Sequence, residues 1–401
     1  MLGLGNNLAR GGVLSGFGNK YSLQFDGDAS LEVENHSSLA LANEITFSVW
    51  AYPTDSGGSQ KLIDRGTVYS LWWDQENNKF GFSMERGPNK HVYETGTSSL
   101  NTWYHVVGVT SGGASTDGTM VIYVTELGEA FNGDAAVETA ALASLGNATV
   151  TTDNFFIGSY DGAAYFSGRI DEVAIWNVAL SEDDVESIYN SGVPNDLNDS
   201  ASYNVDRTDA LKGWWRMGDS TLDDGNIAGN GLIADQSTPS ALGSEELTNG
   251  NLETWSDSSS PTGWYEWVGS FSQQSGARTG GGGSYYADCV GAATYQGPSF
   301  TSDSGRVYKL EFWYKSTDVP DVSVYDGVSR LLDYTNLLNT SNVWTKSIFY
   351  FTGAGNSNTT ARWRAFASNN ISLDDISIKE VTGNPGMMFN MDSSDIAEVT
   401  P

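Results

Sequence analysis

Cysteine occurs once in the 401 residues, at Cys289, so neither an intramolecular disulfide nor a cysteine zinc site can form. Histidine occurs three times (His36, His91, His105), which leaves little for a histidine metal site or a catalytic triad. Basic side chains are scarce. Twenty Lys and Arg face fifty Asp and Glu, a net charge of −30, which excludes DNA, RNA or an anionic membrane as the main electrostatic partner. No apolar run approaches the roughly 18 residues of a membrane span. The opening stretch, MLGLGNNLARGGVLSGFGNKY, lacks the continuous apolar segment of a secretory signal or anchor. Proline is low at 9 against 46 glycines, a balance that suits short strands joined by tight turns.

What is present is apolar and aromatic. At 39% hydrophobic and 12% aromatic, the chain is not disordered as a whole. Its length predicts two or three domains at about 150 residues each. Apolar residues alternate with polar ones in many short runs. Examples are Tyr21, Leu23 and Phe25, then Ile45, Phe47 and Val49, then Tyr308, Leu310, Phe312 and Tyr314. Period-two patterning between turn residues predicts strands, and many strands with little helix predict sandwiches. One helix is expected after Ser181, a good N-cap, with Val185, Ile188 and Tyr189 on its apolar face and Gly192 and Pro194 ending it.

The expected fold class is all-β: two antiparallel β-sandwich (jelly-roll) domains with an N-terminal arm, a packed linker and a C-terminal tail. The arm covers residues 1–19, the first sandwich 20–195 and the linker 196–243, with its LKGWWRMGD knot. The second sandwich covers 244–382, and a docking tail with Met387, Met388 and Phe389 covers 383–401.

Strict alternation in GRIDEVAIW puts Asp171 on the face of Val173 and Ile175, and in NISLDDISIKE it puts Asp374 on the face of Ile376 and Ile378. A carboxylate aimed inward needs a metal or hydrogen-bond donors. With few cations in the chain, Ca²⁺ on oxygen ligands is one answer and backbone amides are the other.

Several motifs carry a resemblance to known families. YSLQFDGDASLEVENHSSL, ITFSVWAYPT, NTWYHVVGV and FSGRIDEVAIWNVALSEDDVESIYNSG occur in the order of the laminin-G-like, concanavalin A-type jelly roll, so residues 20–195 resemble it. Residues 244–382 resemble galactose-binding-like carbohydrate-binding modules through LTNGNLETWSDSSSPTGWYEW and ISLDDISI. The second resemblance implies a structural Ca²⁺ joining Glu253 to Asp374, with Asp375 beside it, although Leu252 stands where that family usually has Phe.

Glycan binding needs exposed aromatic faces flanked by polar groups. The candidates are Trp72, Trp73 and Asp74 in the first domain, and Trp264, Tyr265, Trp267, Trp313 and Trp363 in the second, where Trp363 lies between Arg362 and Arg364. Filling a core is the commoner use of Trp. Enzyme signatures are missing: no phosphate loop, G-x-S-x-G or H-E-x-x-H occurs. GARTGGGGS (276–284) reads as a flexible turn, and His105 and Cys289 read as structural. The arrangement of domains resembles marine bacteriophage structural proteins. That implies a non-enzymatic virion component, a fibre or decoration protein, whose partners are other virion proteins and host-surface polysaccharide, with no nucleic acid and no membrane insertion. A homo-oligomer suits the fibre reading. The rivals are a secreted bacterial adhesin and a glycoside hydrolase using Glu85 or Glu94.

Overall fold

The computed structural model describes residues 17–401 apart from 40, 42–43, 56, 67, 85–89, 112–117, 134, 141–152, 226–230, 238–240, 277, 279–280 and 367–369. Arm residues 1–16 and Glu85 lie outside that set. The fold is two antiparallel β-sandwiches, each made of two sheets. Alternation is the cause. Val307–Ser316 buries Leu310, Phe312 and Tyr314 and turns Lys309, Glu311, Trp313 and Lys315 the other way.

In the first sandwich, sheet I runs Ala136–Ala140, Gly118–Glu126, Tyr104–Ser111, Ile45–Pro53, Ser167–Trp176, Ser22–Asp26, Ile396–Ala397. Sheet II runs Leu232–Ile233, Gly386–Phe389, Ser30–Val33, Phe155–Ile157, Ser59–Asp64, Tyr69–Asp74, Lys79–Met84, Lys90–Tyr93. Between them lies one apolar core that includes Leu23, Phe47, Leu71, Phe82 and Ile175. The helix, Glu182–Tyr189, has the expected Ser181 cap in a reciprocal capping box with Asp184. It ends at Asn190 in the left-handed region, two residues ahead of Gly192. It closes a second apolar layer on the outer side of sheet I, over Trp176 and Trp214.

Two expected segments are corrected. Residues 196–243 are not a linker packed on a neighbour. Leu211–Trp215 pairs with Ser167–Trp176 and so belongs to sheet I. Trp214 and Trp215 fall on opposite faces, one under the helix and the other in the main core, stacked on Phe155. Nor is 383–401 a docking tail: Gly386–Phe389 pairs with both Ser30–Val33 and Leu232–Ile233, and Ile396–Ala397 pairs with Ser22–Asp26. Burying Met388 against Leu31 gives more than leaving a Met-Met-Phe knot in water, at about 1.5–3 kcal/mol per buried side chain.

The second sandwich is therefore inserted within the first. Sheet III runs Ser270–Ser275, Tyr285–Val290, Ile371–Val381, Val307–Ser316, Thr345–Thr352, with Leu242–Glu245 also on Ile371–Val381. Sheet IV runs Tyr265–Glu266, Ala293–Gln296, Asn356–Ala365, Asp321–Tyr325, Arg330–Asn336. Its entry and exit are paired, Leu242 beside Val381, and Leu232, Val307, Tyr350, Val381 and Met387 form an apolar seam between the two bodies. Tyr350 Oη donates to Asp224 across the seam at 3.2 Å.

A second correction concerns phase. Both Ser167–Trp176 and Ile371–Val381 carry a β-bulge, with Glu172 and Asp375 in the left-handed region at φ 49° and 46°. An extra residue on one strand reverses the face of everything before it. Ile170 and Val173 both enter the first core, and Leu373 and Ile376 both enter the second. Asp171 and Asp374 thus point outward, opposite Trp50 and Trp313, and are buried by what lies on top of them.

Candidate functional site

The outer face of sheet IV has the composition of a ligand platform. In Asn356–Ala365, Ala361, Trp363 and Ala365 enter the core, so Arg362 and Arg364 face out. Register places Gln296 and Ser323 on either side of Arg362, and Thr294 and Asp321 on either side of Arg364. At one edge Tyr265 pairs with Gln296, and Trp267 continues the chain, its amide donating to Thr294 O at 3.2 Å. Tyr265 and Trp267 are each 55% exposed, large for aromatic residues with no core role.

The platform is preorganised by cations on rings. Arg362 sits 4.7 Å from the Trp267 ring and 4.1 Å from the Tyr325 ring, with Nε donating to Gln296 Oε1 at 3.0 Å. Arg364 grips Asp321 through both carboxylate oxygens and lies 3.2 Å over Tyr334. Arg330 approaches the same Tyr334 ring at 4.2 Å. Each contact fixes an aromatic plane and a donor edge together. Ser323 is shut off from solvent, and its hydroxyl has no hydrogen-bond partner.

The other candidates are dispersed. Trp363 is fully buried against Phe312 and Trp264, and Trp264 is itself in that core with Nε1 on Asn249 O. Trp73 enters the first core beside Phe80. These three are corrections: each shares its strand face with other core residues or closes the end of the core, so none presents a ring to a sugar. Asp74 caps the following turn, accepting from Glu76 N and Asn77 Nδ2. Trp72 does face outward from sheet II, over Gly81, but Lys61, His91 and Tyr93 cover it. Trp313 faces outward from sheet III, and the Arg278 guanidinium covers its ring at 4.0 Å. Tyr325 and Tyr334 escaped the sequence reading. The signal for Tyr325 was available in DVSVY, where Val322 and Val324 claim the core and Tyr325 the opposite face.

The acidic candidates divide. Asp171 accepts from Asn19 Nδ2 and from Glu172 N, at 2.9 and 2.8 Å. Glu172 beside it accepts from Arg216 Nε at 3.1 Å and Trp214 Nε1 at 2.6 Å, and Phe17 stacks on Trp214 beneath the same guanidinium. Burial pushes Glu172 up to about 7 despite Arg216, and burial beside Glu172 raises Asp171 well above the usual carboxylate range. Protein donors satisfy both oxygens of Asp171, which corrects its reading as a metal ligand. Asp375 is likewise claimed, by the Arg278 guanidinium. Asp374 differs: Oδ1 accepts from Asp375 N at 2.8 Å, while Oδ2 is buried with no partner. Burial, with the charges of Asp375 and Glu253 nearby, pushes Asp374 up to about 7. Glu253 Oε1 accepts from Ser284 N and Tyr285 N. An orphaned anionic oxygen near a second carboxylate fits a cation in charge. Two carboxylates are fewer than the six to eight oxygens Ca²⁺ takes, so carbonyls or water would complete the shell. Among the described residues no three Asp, Glu, His or Cys side chains are grouped to hold a metal.

At an open end of the first sandwich, a cavity of about 430 Å³ is lined by Glu94, Tyr104, Glu126 and Glu129 among others. Glu94 accepts from Phe80 N and Ser98 Oγ, and burial outweighs these donors to raise its carboxyl above the usual range. His105 is buried between Trp50 and Tyr189 with Nε2 2.7 Å from Ser48 Oγ, and burial lowers it to about 3. Cys289 packs in the second core.

The fold is that of an all-β protein of two antiparallel sandwiches. Residues 25–186 match the family model of the concanavalin A-like lectin/glucanases superfamily. No curated protein matches the chain. Similar solved structures include a heptameric SAP-like pentraxin from Limulus polyphemus (15% identity, TM-score 0.32, covering 42% of this chain and 82% of that one). A putative carbohydrate binding protein from Bacteroides ovatus is 16% identical with a TM-score of 0.38, covering 54% of this chain and 56% of that one. A xylan-binding domain from Paenibacillus barcinonensis is 14% identical with a TM-score of 0.29, covering 36% and 96%.

Proposed function

We propose that the protein is a non-enzymatic adhesion protein that binds glycan on the outer face of sheet IV. The observation that carries this reading is the pair of exposed rings, Tyr265 and Trp267, beside a row of planar groups, Gln296, Arg362 and Arg364. A sugar ring presents an apolar face of C–H groups and an equatorial rim of hydroxyls. Stacking takes the first, and fixed amide and guanidinium groups take the second. Retention on a glycan array should fall at least tenfold in Trp267→Ala and in Tyr265→Ala without a change in melting temperature. Retention unchanged in both variants would refute this placement.

The setting we propose is a bacteriophage particle, where the chain would join other virion proteins and engage host-surface polysaccharide. Its support is the order of motifs along the sequence. Peptides of this chain in purified, nuclease-treated particles are the expected result, and their absence from particles would overturn it. On this non-catalytic reading no reducing ends should appear on prolonged incubation with bound polysaccharide, and their release, lost in Glu94→Gln, would overturn it. Calcium, held by Glu253 and Asp374, would neutralise the orphaned oxygen and tie the start of the second sandwich to its last strand.

A further inference from the structure

We infer that the ligand of the sheet IV face is an acidic glycan, one whose sugar carboxylate is taken by Arg362. This rests on the proposed glycan reading and narrows it to uronate-type or other carboxylate-bearing polymers.

The argument starts from charge. A chain with fifty acids and twenty bases has carboxylates to spare for every cation. Three arginines stand on this face. Arg364 is neutralised by Asp321, and Arg330 lies 3.7 Å from Asp333. Arg362, in the middle, has no carboxylate partner among the described residues; its one hydrogen bond is from Nε to the neutral Gln296. The terminal nitrogens Nη1 and Nη2 are left unbonded, which is the edge that receives a carboxylate through two parallel hydrogen bonds.

The surroundings favour an anion there. Trp267 and Tyr325 both lie against the guanidinium, which removes water without supplying negative charge. Burial and the neighbouring charge of Arg330 both act to lower the affinity of Arg362 for its proton, the reverse of what a carboxylate partner would do. Ser323, paired with Arg362 across the strands, keeps its buried hydroxyl unpartnered, a second polar group on this row left without a protein mate. A half-buried unpaired cation is costly to keep. A ligand carboxylate would remove that cost, with the exposed Trp267 and Tyr265 holding the sugar plane beside it.

The test uses the full chain on immobilised polygalacturonate, alginate and hyaluronate, each beside its carboxyl-reduced counterpart, with xylan and β-glucan as neutral polymers. The expected result is retention on at least one acidic polymer, weakened about tenfold or more by carboxyl reduction and by Arg362→Gln, as for a lost charge-assisted bond. Arg362→Lys, which keeps the charge but not the fork, should recover only part. Both variants should melt with the wild type, since Arg362 lies outside the core. Retention equal on reduced and unreduced polymers, abolished by Trp267→Ala but untouched by Arg362→Gln, would overturn the acidic ligand and leave the glycan reading standing. No retention on any polymer would overturn both.

Discussion

Arg216 and Glu172 make a buried pair whose removal separates charge from packing. Their nitrogen–oxygen distance is 3.1 Å, and the side chains are 8% and 5% exposed. Arg216→Met keeps most of the volume but leaves Glu172 buried with only Trp214 Nε1 donating to it. Breaking one side of such a pair costs about 3–5 kcal/mol. Loss of the Nη2 bond to Gly18 O and of the contact with Phe17 belongs to the same variant. In Arg216→Met/Glu172→Gln the charge at 172 is gone and Trp214 keeps an oxygen acceptor, so the cost should fall to about 2 kcal/mol, from the lost Gly18 bond, the ring contact and the long pairing of Arg216 with Asp219 at 3.8 Å. Arg216 holds the Glu172 carboxyl down against its burial, so without Arg216 that carboxyl rises further and the cost of the single variant should grow as pH rises, which makes a series of melts across pH the measurement. Calorimetry should show the first sandwich melting lower by roughly 6–20 °C in the single variant, at about 2–4 °C per kcal/mol for a body of this size. Glu172→Gln should restore about 1–3 kcal/mol of that loss. If Arg216→Met costs under about 1 kcal/mol, or the second substitution rescues nothing, the pair does not act as a buried charge couple.

Other outcomes follow from the same physics. Burial pushes Asp64 up to about 6, against 3.8 in the unfolded chain, so its ionisation opposes folding; the fold is favoured below 3.8 and loses up to about 3 kcal/mol as pH rises through 6. Asp64→Asn should flatten that slope of stability against pH, and an unchanged slope in urea titrations would count against it. Chelator should lower the melting temperature of the second sandwich, and Asp374→Ala should abolish that response; equal melting with Ca²⁺ and chelator refutes the cation. Deleting residues 384–401 takes an inner strand from sheet II and an edge strand from sheet I, so circular dichroism should record a marked drop in melting temperature rather than a neutral truncation.

Local features were legible where a short segment decides them. The alternation of Val307–Ser316 predicts that Trp313 leaves the core, and the Ser181 cap predicts where the helix starts. ARWRA already held the two cations of the proposed site, because Ala361, Trp363 and Ala365 share a face and force Arg362 and Arg364 onto the other. The bulges were not legible. A single left-handed residue at Glu172 or Asp375 reverses the phase without altering composition, so strict alternation aimed both preceding aspartates the wrong way. Nor could local pattern find partners 150 or more residues apart, such as Asn384 with Trp215, which return the tail to the first core. Tyr334 belongs to the site because a sheet edge brings it under Arg364, a fact of register alone.

The insertion has a practical meaning for engineering. The second body leaves and rejoins its host through neighbouring chain positions, Thr382 N donating to Ala241 O at 2.9 Å. A two- or three-residue loop could therefore join them directly, since short closures between adjacent ends cost little. The host would keep every strand of its own sheets, with only the seam around Leu232 and Met387 newly wet and in need of polar replacements. That makes the inner module an exchangeable cartridge: the face proposed for glycan could be swapped for another of similar footprint while the outer body stays as it is.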